Sequence, residues 1–258
     1  PTPMFGLLYN ESRNSFGKAR SLKCPHYLEE NGHCGVWKNR ESTCATWFCK
    51  HVRGNTGYAF WRTGLHRMLE AVEIGLARWC LLELKVSEAM LSYAVESKSW
   101  KAEAEQVDGD SLDQAVSKRA YSKTWCEWEG REREFFIACA EKVNRLSWWE
   151  VLQIGGPEAQ AYARLTVDAY KRLTSETVPD DLTVASFELV HVDHGTTRLH
   201  TYSEYDPIDV PSVVMELLPY FDGRPTKDVV AAIAAERGIQ LEPSLVLKMA
   251  DFALLTQS

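Results

Sequence analysis

Residues 58–97 read YAFWRTGLHRMLEAVEIGLARWCLLELKVSEAMLSYAVES. Leu65, Leu69, Val72, Leu76, Trp79, Leu82, Val86 and Met90 recur at three- and four-residue steps, the spacing that lines one face of an α-helix. The stretch predicts one long helix over 58–97, and with it a mainly α protein. Cys80 falls inside the pattern and is expected as a buried structural thiol. Downstream, KAEAEQVDGDS at 101–111 reads as a charged linker. Ser111 can cap a second long helix over about 112–145, and Pro157 suits the first turn of a third that runs to about Ser175. Glu127, Glu129, Glu132 and Glu134 invite a carboxylate metal site, but no Glu-x-x-His pair accompanies them. Interleaved with Arg131 and Arg133, they read as a solvated, salt-bridged face.

Upstream of the helical region the chain carries its strongest chemical signal. Cys24, Cys34, Cys44 and Cys49 fall within twenty-six residues, CPHYLEENGHCGVWKNRESTCATWFC, with nine, nine and four residues between them. Cys126 and Cys139, like Cys80, are scattered. Four thiols in one short stretch point to a metal or iron–sulfur site. Asn31-Gly32 marks a turn before Cys34, and Gly35 allows close backbone approach behind it. Ser42 or Thr43 is expected to cap a short helix that holds Cys44 and Cys49. Five residues of helix separate two thiols by about 140°, so that helix must end or distort for both to ligate. Arg53-Gly54-Asn55-Thr56-Gly57 reads as a break. Long spacings and dense aromatics (Tyr27, Trp37, Trp47, Phe48, Tyr58, Phe60, Trp61) favour a shielded [4Fe–4S] cluster, and four cysteines also satisfy tetrahedral zinc. His26, His33 and His51 are alternative ligands.

The segment resembles a known family. Cys24-Pro25, Leu28, Gly32-x-Cys34-x-Val36-Trp37, Arg40 and Cys44 are similar to the YkgJ-like cysteine-cluster family, described as zinc- or iron-chelating. The resemblance covers about thirty residues. It departs from the family pattern at Leu28, one residue late, at Glu41, where the family has proline, and in lacking an upstream cysteine group. It implies a metal or cluster held by Cys24, Cys34 and Cys44, with Cys49 completing the site.

Charge is uneven along the chain. Residues 1–62 hold 9 Lys/Arg against 4 Asp/Glu, a balance of +5. Residues 63–180 hold 15 against 20, and residues 181–258 hold 5 against 12, giving −5 and −7. The basic segment is the one with the cysteines, where Lys23, Lys38, Arg40, Lys50 and Arg53 would lower the cost of gathering thiolates. The opening PTPMFGLLYNESRN has no long apolar core, so no export signal is expected, and no apolar run is long enough to span a bilayer. Seven cysteines without an export signal fit a reducing cytoplasmic location with free thiols rather than disulfides.

At Val178-Pro179-Asp180-Asp181 the pattern changes, and two domains are expected, 1–180 and 181–258. Residues 183–192, TVASFELVHV, alternate like a strand, Asp193-His194-Gly195 turns, and 197–202 returns. Three short helices follow at Pro211–Phe221, Thr226–Glu236 and Pro243–Leu254, with Thr226 a candidate N-cap. The expected fold is therefore mainly α: a loop-rich four-cysteine segment packed on a helical domain, then a small C-terminal α+β domain of winged-helix type. Leu217-Leu218, Phe221-Asp222-Gly223-Arg224-Pro225-Thr226, Val229 and Ile233 resemble the PqqD-like peptide-recognition fold over about residues 182–258. That resemblance implies a leader peptide added as a strand to the small sheet beside the third helix. A −7 segment with no basic recognition helix disfavours nucleic acid, which leaves a peptide or protein partner, or a packing role.

No nucleophile elbow, P-loop or dinucleotide fingerprint occurs, and no catalytic residue stands out. The leading expectation is an iron–sulfur protein acting in electron transfer or as accessory to a peptide- or protein-modifying system. The alternatives are a zinc-stabilised adaptor with a winged-helix recognition domain, and a modifying enzyme whose cluster has an open iron. Replacing Cys24, Cys34, Cys44 or Cys49 by Ser is predicted to lose metal and much stability, because metal binding and folding are coupled. Replacing Cys80, Cys126 or Cys139 by Ala leaves metal content intact. Elemental analysis of the variants checks this, and metal loss from one of the latter three would put a cysteine of the helical region in the ligand set.

Overall fold

The apolar periodicity of 58–97 folds as two successive helices rather than one. The computed structural model describes residues 24, 26–46, 52–96 and 118–257. It is mainly helical, with small antiparallel sheets in its C-terminal part. A hairpin of β1 (Tyr27–Leu28) and β2 (His33–Cys34) comes first, then α1 (Ser42–Thr46). Next, α2 (Gly54–Tyr58), a π-helical stretch (Ala59–His66) and α3 (Arg67–Glu83) run on end to end.

The long helix expected over 58–97 stops at Glu83 because Lys85 adopts a left-handed conformation, φ 51°. The Val86 amide reaches back to the Leu81 carbonyl (3.2 Å) and the Lys85 amide to Leu82 (3.0 Å). This pair of bonds is a Schellman closure. Ser87 then starts α4 (Glu88–Glu96): its hydroxyl accepts from the Met90 amide at 3.4 Å, as an N-cap does.

The second expected helix is likewise divided. The described part comprises α5 (Lys118–Trp125) and α6 (Glu132–Val143), separated at Cys126 (φ 44°) and Gly130 (φ 77°). Three of the four glutamates expected on a solvated face are bonded, Glu132 and Glu134 at this break and Glu127 at the start of α4. Glu127 accepts the Ser87 amide and hydroxyl, both at 2.6 Å, Glu132 accepts the Gly130 amide and the Tyr121 hydroxyl, and Glu134 pairs with Arg131. Ser147 and Glu150 close a capping box on α7 (Trp148–Ile154). Pro157 lies in the first turn of α8 (Gly156–Thr174), as expected.

The strand expected over 183–192 is two strands. β3 (Leu182–Val184) pairs antiparallel with the C-terminal β7 (Leu255–Gln257). β4 (Glu188–Asp193), β5 (Thr196–His200) and β6 (Ile208–Pro211) form a three-stranded antiparallel sheet in that order, with an irregular register between Leu189 and His191. α9 (Val213–Leu217), a 3-10 turn (Leu218–Tyr220), α10 (Thr226–Arg237) and α11 (Pro243–Asp251) follow. Thr226 does not cap α10: it opens the helix and donates its hydroxyl to the Pro179 carbonyl at 2.8 Å. One core joins these elements: Leu182, Leu199, Ile208, Val210, Val214, Leu217, Val229, Ile233, Met249 and Leu254 are all sealed from solvent.

Contacts divide the chain into two units, one of Pro1–Arg40 with Ile74–Ile154 and one of Glu41–Glu73 with Gly155–Ser258. The residues expected as a separate domain, 181–258, thus lie in the second unit together with 41–73 and 155–180. Arg53 ties that unit together. Its guanidinium grips both carboxylate oxygens of Asp251 (2.8 and 2.9 Å) and donates to the carbonyls of Leu173 (2.6 Å) and Ser175 (2.7 Å). Beside it, a side chain on Gly54 (φ 56°) would lie 2.8 Å from the Phe252 ring, so glycine is required there. The helical stretch packs on α8 just as closely. A Cβ on Gly64 would lie 3.1 Å from the Thr166 backbone, and Phe60 meets the Tyr170 ring at 5.5 Å. Among the described residues no helix is long and apolar enough to cross a membrane.

Removing one partner of a largely buried, multiply bonded ion pair leaves the other charge uncompensated. Arg53→Met is therefore expected to cost about 3 kcal/mol in chemical denaturation. A loss below about 0.5 kcal/mol, the range of an exposed pair, would remove Arg53 from this role.

Candidate functional site

The first half of the cysteine segment is built as a hairpin. Tyr27 pairs with Cys34 and Leu28 with His33. The turn between them closes where Asn31-Gly32 predicts it: the Gly32 amide donates to the Leu28 carbonyl (2.8 Å) with Gly32 at φ 71°, and the His33 amide donates to Asn31 Oδ1 (3.0 Å). The Tyr27 amide bonds back to the Cys24 carbonyl (3.1 Å), and the Gly35 amide to the His26 carbonyl (2.7 Å). A Cβ on Gly35 would lie 3.3 Å from that carbonyl, the close approach its sequence position suggested. Cys34 thus lies at the open end of the hairpin, paired with Tyr27, whose amide bonds back to Cys24. Cys24 is exposed and Cys34 half-buried. Behind them Arg40 lies over the Trp37 ring at 3.7 Å and donates Nε to the Trp37 carbonyl (3.0 Å). Tyr27 and Trp37, two of the aromatics considered as shields, are both exposed.

Cys44 is positioned differently. It lies on α1, whose cap is Glu41 and not Ser42 or Thr43. The Glu41 carboxylate accepts the amides of Thr43 (3.0 Å) and Cys44 (2.9 Å), as an N-cap side chain does. Burial works against its charge, but hydrogen bonds from the Cys44 thiol and from these amides outweigh it and hold the Glu41 pKa below its ordinary value. Ser42 and Thr46, one turn apart, face inward. The Ser42 amide and hydroxyl both donate to Glu73 (2.7 and 2.8 Å). Thr46 spends its only proton on the Ser42 carbonyl (2.8 Å), so His66 Nδ1, 3.2 Å from Thr46 Oγ1, must be the donor in that contact. His66 is buried in the π-helical stretch. These bonds turn one face of α1 inward and leave Cys44 exposed on the other. None of Glu41, Glu73 or His66 stood out in the sequence. An acidic residue three before Cys44 was the available sign of the cap.

Among the described residues no three His, Cys, Asp or Glu side chains stand close enough to hold a metal ion. Cys49 and His51, with Trp47 and Phe48, lie outside the described residues. Of the cysteines expected to lie outside the metal site, Cys80, expected as a buried structural thiol, is buried, while Cys126 and Cys139 are half-buried. The Cys126 thiol bonds the Lys123 carbonyl at 3.3 Å.

The C-terminal sheet offers a second candidate. β6 pairs with β5 on one side, and among the described residues no strand pairs with its other side. Ile208 and Val210 point into the core and Asp209 outward, where it is gripped from β5 by Arg198 through two bonds of 2.8 Å. From α11, Lys248 Nζ reaches the Asp209 carbonyl at 3.4 Å. The free side of β6 therefore runs beside the third helix. The opposite edge, β4, is exposed along its whole length. No protein-family model, curated protein or solved structure matches the chain.

The Glu41 cap gives a pH signature. Its folded pKa lies below the unfolded value near 4.5, so its contribution is complete above that value and is lost as pH falls through the folded pKa. Glu41→Gln is expected to cost about 1 kcal/mol at neutral pH. The gap between wild type and variant in denaturant titrations should shrink as the pH is lowered below 4.5. A gap independent of pH would show that the carboxylate charge is not what caps α1.

Proposed function

We propose that this chain is an accessory protein of a peptide- or protein-modifying system. It recognises a peptide segment by strand addition and carries an iron–sulfur cluster, [4Fe–4S], on Cys24, Cys34, Cys44 and Cys49. The observation that carries the recognition half is the arrangement of the C-terminal elements. Three antiparallel strands precede three helices over one core, the last strand is an edge, and the third helix borders it. An unpaired edge accepts a further strand through main-chain bonds, and the flanking helix then supplies side-chain selectivity. This order agrees with the winged-helix, PqqD-like character suggested by Phe221 to Thr226. The charge balance of 181–258, 5 basic against 12 acidic residues, favours a basic or apolar peptide over nucleic acid.

The cofactor half rests on four cysteines within twenty-six residues and on the hairpin that pairs Cys34 with Tyr27, three residues from Cys24. A cluster there would serve electron transfer. Zinc is the second reading, favoured by the same four cysteines, since four thiols also suit a closed tetrahedral site. The chain would then be an adaptor.

Two measurements on the full chain test this. Anaerobically purified protein should be brown and contain iron and acid-labile sulfide, whereas colourless protein with one zinc would replace the cluster by the adaptor reading. Short peptides selected on the full chain from a displayed library should protect the amides of Ile208–Val210 from hydrogen exchange. Protection confined to other elements, or tight salt-sensitive binding of duplex DNA, would overturn strand addition at β6.

A further inference from the structure

The free side of β6 has few main-chain groups to give. Ser212 donates its amide to the Gly195 carbonyl at 2.8 Å, and the register runs on from there. Pro211 faces Thr196, Val210 faces Thr197, Asp209 faces Arg198 and Ile208 faces Leu199. Hydrogen-bonded and non-bonded pairs alternate along an antiparallel ladder. The bonded pairs are therefore Ser212 with Gly195, Val210 with Thr197 and Ile208 with Leu199, and the main-chain groups of Asp209 and Pro211 point away from β5. Pro211 has no N–H, and neither has Pro207 just before the strand. Over 207–211 the open side thus offers one donor, the Asp209 amide. The Asp209 carbonyl beside it is covered by Lys248 Nζ from α11 at 3.4 Å. Proline and lysine at an edge keep it from pairing indiscriminately.

The charges around this edge are already matched, except at Lys248. Arg198 grips the Asp209 carboxylate through two bonds of 2.8 Å. Asp251, the one acidic residue of α11, is held by Arg53. Lys248 is the one basic residue of that helix, it is exposed, and it meets a carbonyl rather than a carboxylate. A strand that bonds Asp209 takes this carbonyl with its own N–H and deprives the ammonium of it. A carboxylate on the incoming strand replaces the lost bond with a stronger, charge-assisted one.

We propose that β6 accepts one extended peptide segment at Asp209, that Lys248 is the gate the segment displaces, and that the segment carries an aspartate or glutamate which takes up the displaced ammonium. This deepens the strand addition at β6 described above and rests on it. Main-chain pairing is confined to one residue with both a donor and an acceptor, so the ion pair decides which segment stays. The acidic excess of 181–258 does not oppose it. Lys248 acts at contact distance, whereas the remaining charges act through solvent and salt. A segment that is basic or apolar as a whole, with one acid beside Lys248, satisfies both.

The test uses the full chain and a displayed library of random peptides, selected in parallel on wild type and on Lys248→Met. Wild type should enrich peptides with an Asp or Glu at one fixed position. A synthetic copy of such a peptide should lose about fivefold in affinity when that acid is replaced by its amide, the range of a solvent-accessible ion pair. The same replacement should change nothing on Lys248→Met, and Lys248→Arg should keep the preference. Peptides without an acid should bind Lys248→Met more tightly than wild type, because the Asp209 carbonyl is uncovered there. In residue-resolved hydrogen exchange the Asp209 amide should gain most protection, since those of Ile208 and Val210 already bond β5. Protection of Asp209 without a preference for an acid, or a preference that survives in Lys248→Met, would overturn the role of Lys248 and leave strand addition standing. Binding that leaves the Asp209 amide unprotected would overturn strand addition at β6, and this proposal with it.

Discussion

The guanidinium of Arg53 is the group on which the second unit depends. It joins residues 198 positions apart through a two-pronged bond to Asp251, and it also takes up the carbonyls of Leu173 and Ser175 at the C-terminal end of α8. A helix C-terminus leaves carbonyls without intrahelical partners and carries partial negative charge, so a cation there meets both needs at once. Four bonds to one guanidinium offset the cost of its partial desolvation, which a single surface carboxylate would not do. The backbone yields to this arrangement: Arg53 adopts a left-handed conformation, φ 61°. A non-glycine residue holds that conformation only where its surroundings over-determine it.

What Arg53 holds in turn places the candidate site residues. Anchored beside Phe252, α2 launches the π-helical stretch against α8, and Tyr58 meets Tyr202, which itself packs on Phe252. A π-helical segment is wider than an α-helix and is rare except where a function or a packing constraint keeps it. Here its last residue, His66, is turned inward to meet Thr46, while Glu73, further along α3, receives Ser42. Cys44 thus sits on a five-residue helix far too short to be stable alone, held by one carboxylate at its cap and two side chains on its inner face. The exposed thiol owes its orientation to the Glu41 carboxylate it bonds and to polar contacts on the opposite side of the helix.

Much of this was legible in the sequence, and the parts that were not share a cause. The three- and four-step spacing of Leu65 to Leu82 gives the helix, and Asn31-Gly32 gives the hairpin turn, because both are local signals. The stop at Lys85 was hidden because Val86 and Met90 continue the apolar period across it, and lysine does not advertise a left-handed conformation. Ser87 is an ordinary N-cap residue, but an unbroken period outweighed it. Gly54-Asn55-Thr56-Gly57 reads as a break by composition yet forms a helix, since the Arg53 anchor overrides weak local propensity. The division of 183–192 into β3 and β4 depends on pairing with Leu255–Gln257, a partner more than seventy residues away that no local pattern reveals. The Glu41 cap escaped notice because serine and threonine, the commoner caps, stand right beside it.

The same locality separates the cysteines into two chemical kinds. Cys24, Cys34 and Cys44 are carried on short, polar, turn-rich elements that leave their thiols at or near the surface, in the part of the chain where basic residues exceed acidic ones. A thiol so placed can give up its proton to a metal at little cost in desolvation. Cys80 and Cys139 belong to helices whose apolar period carries them inward, where burial holds both protonated.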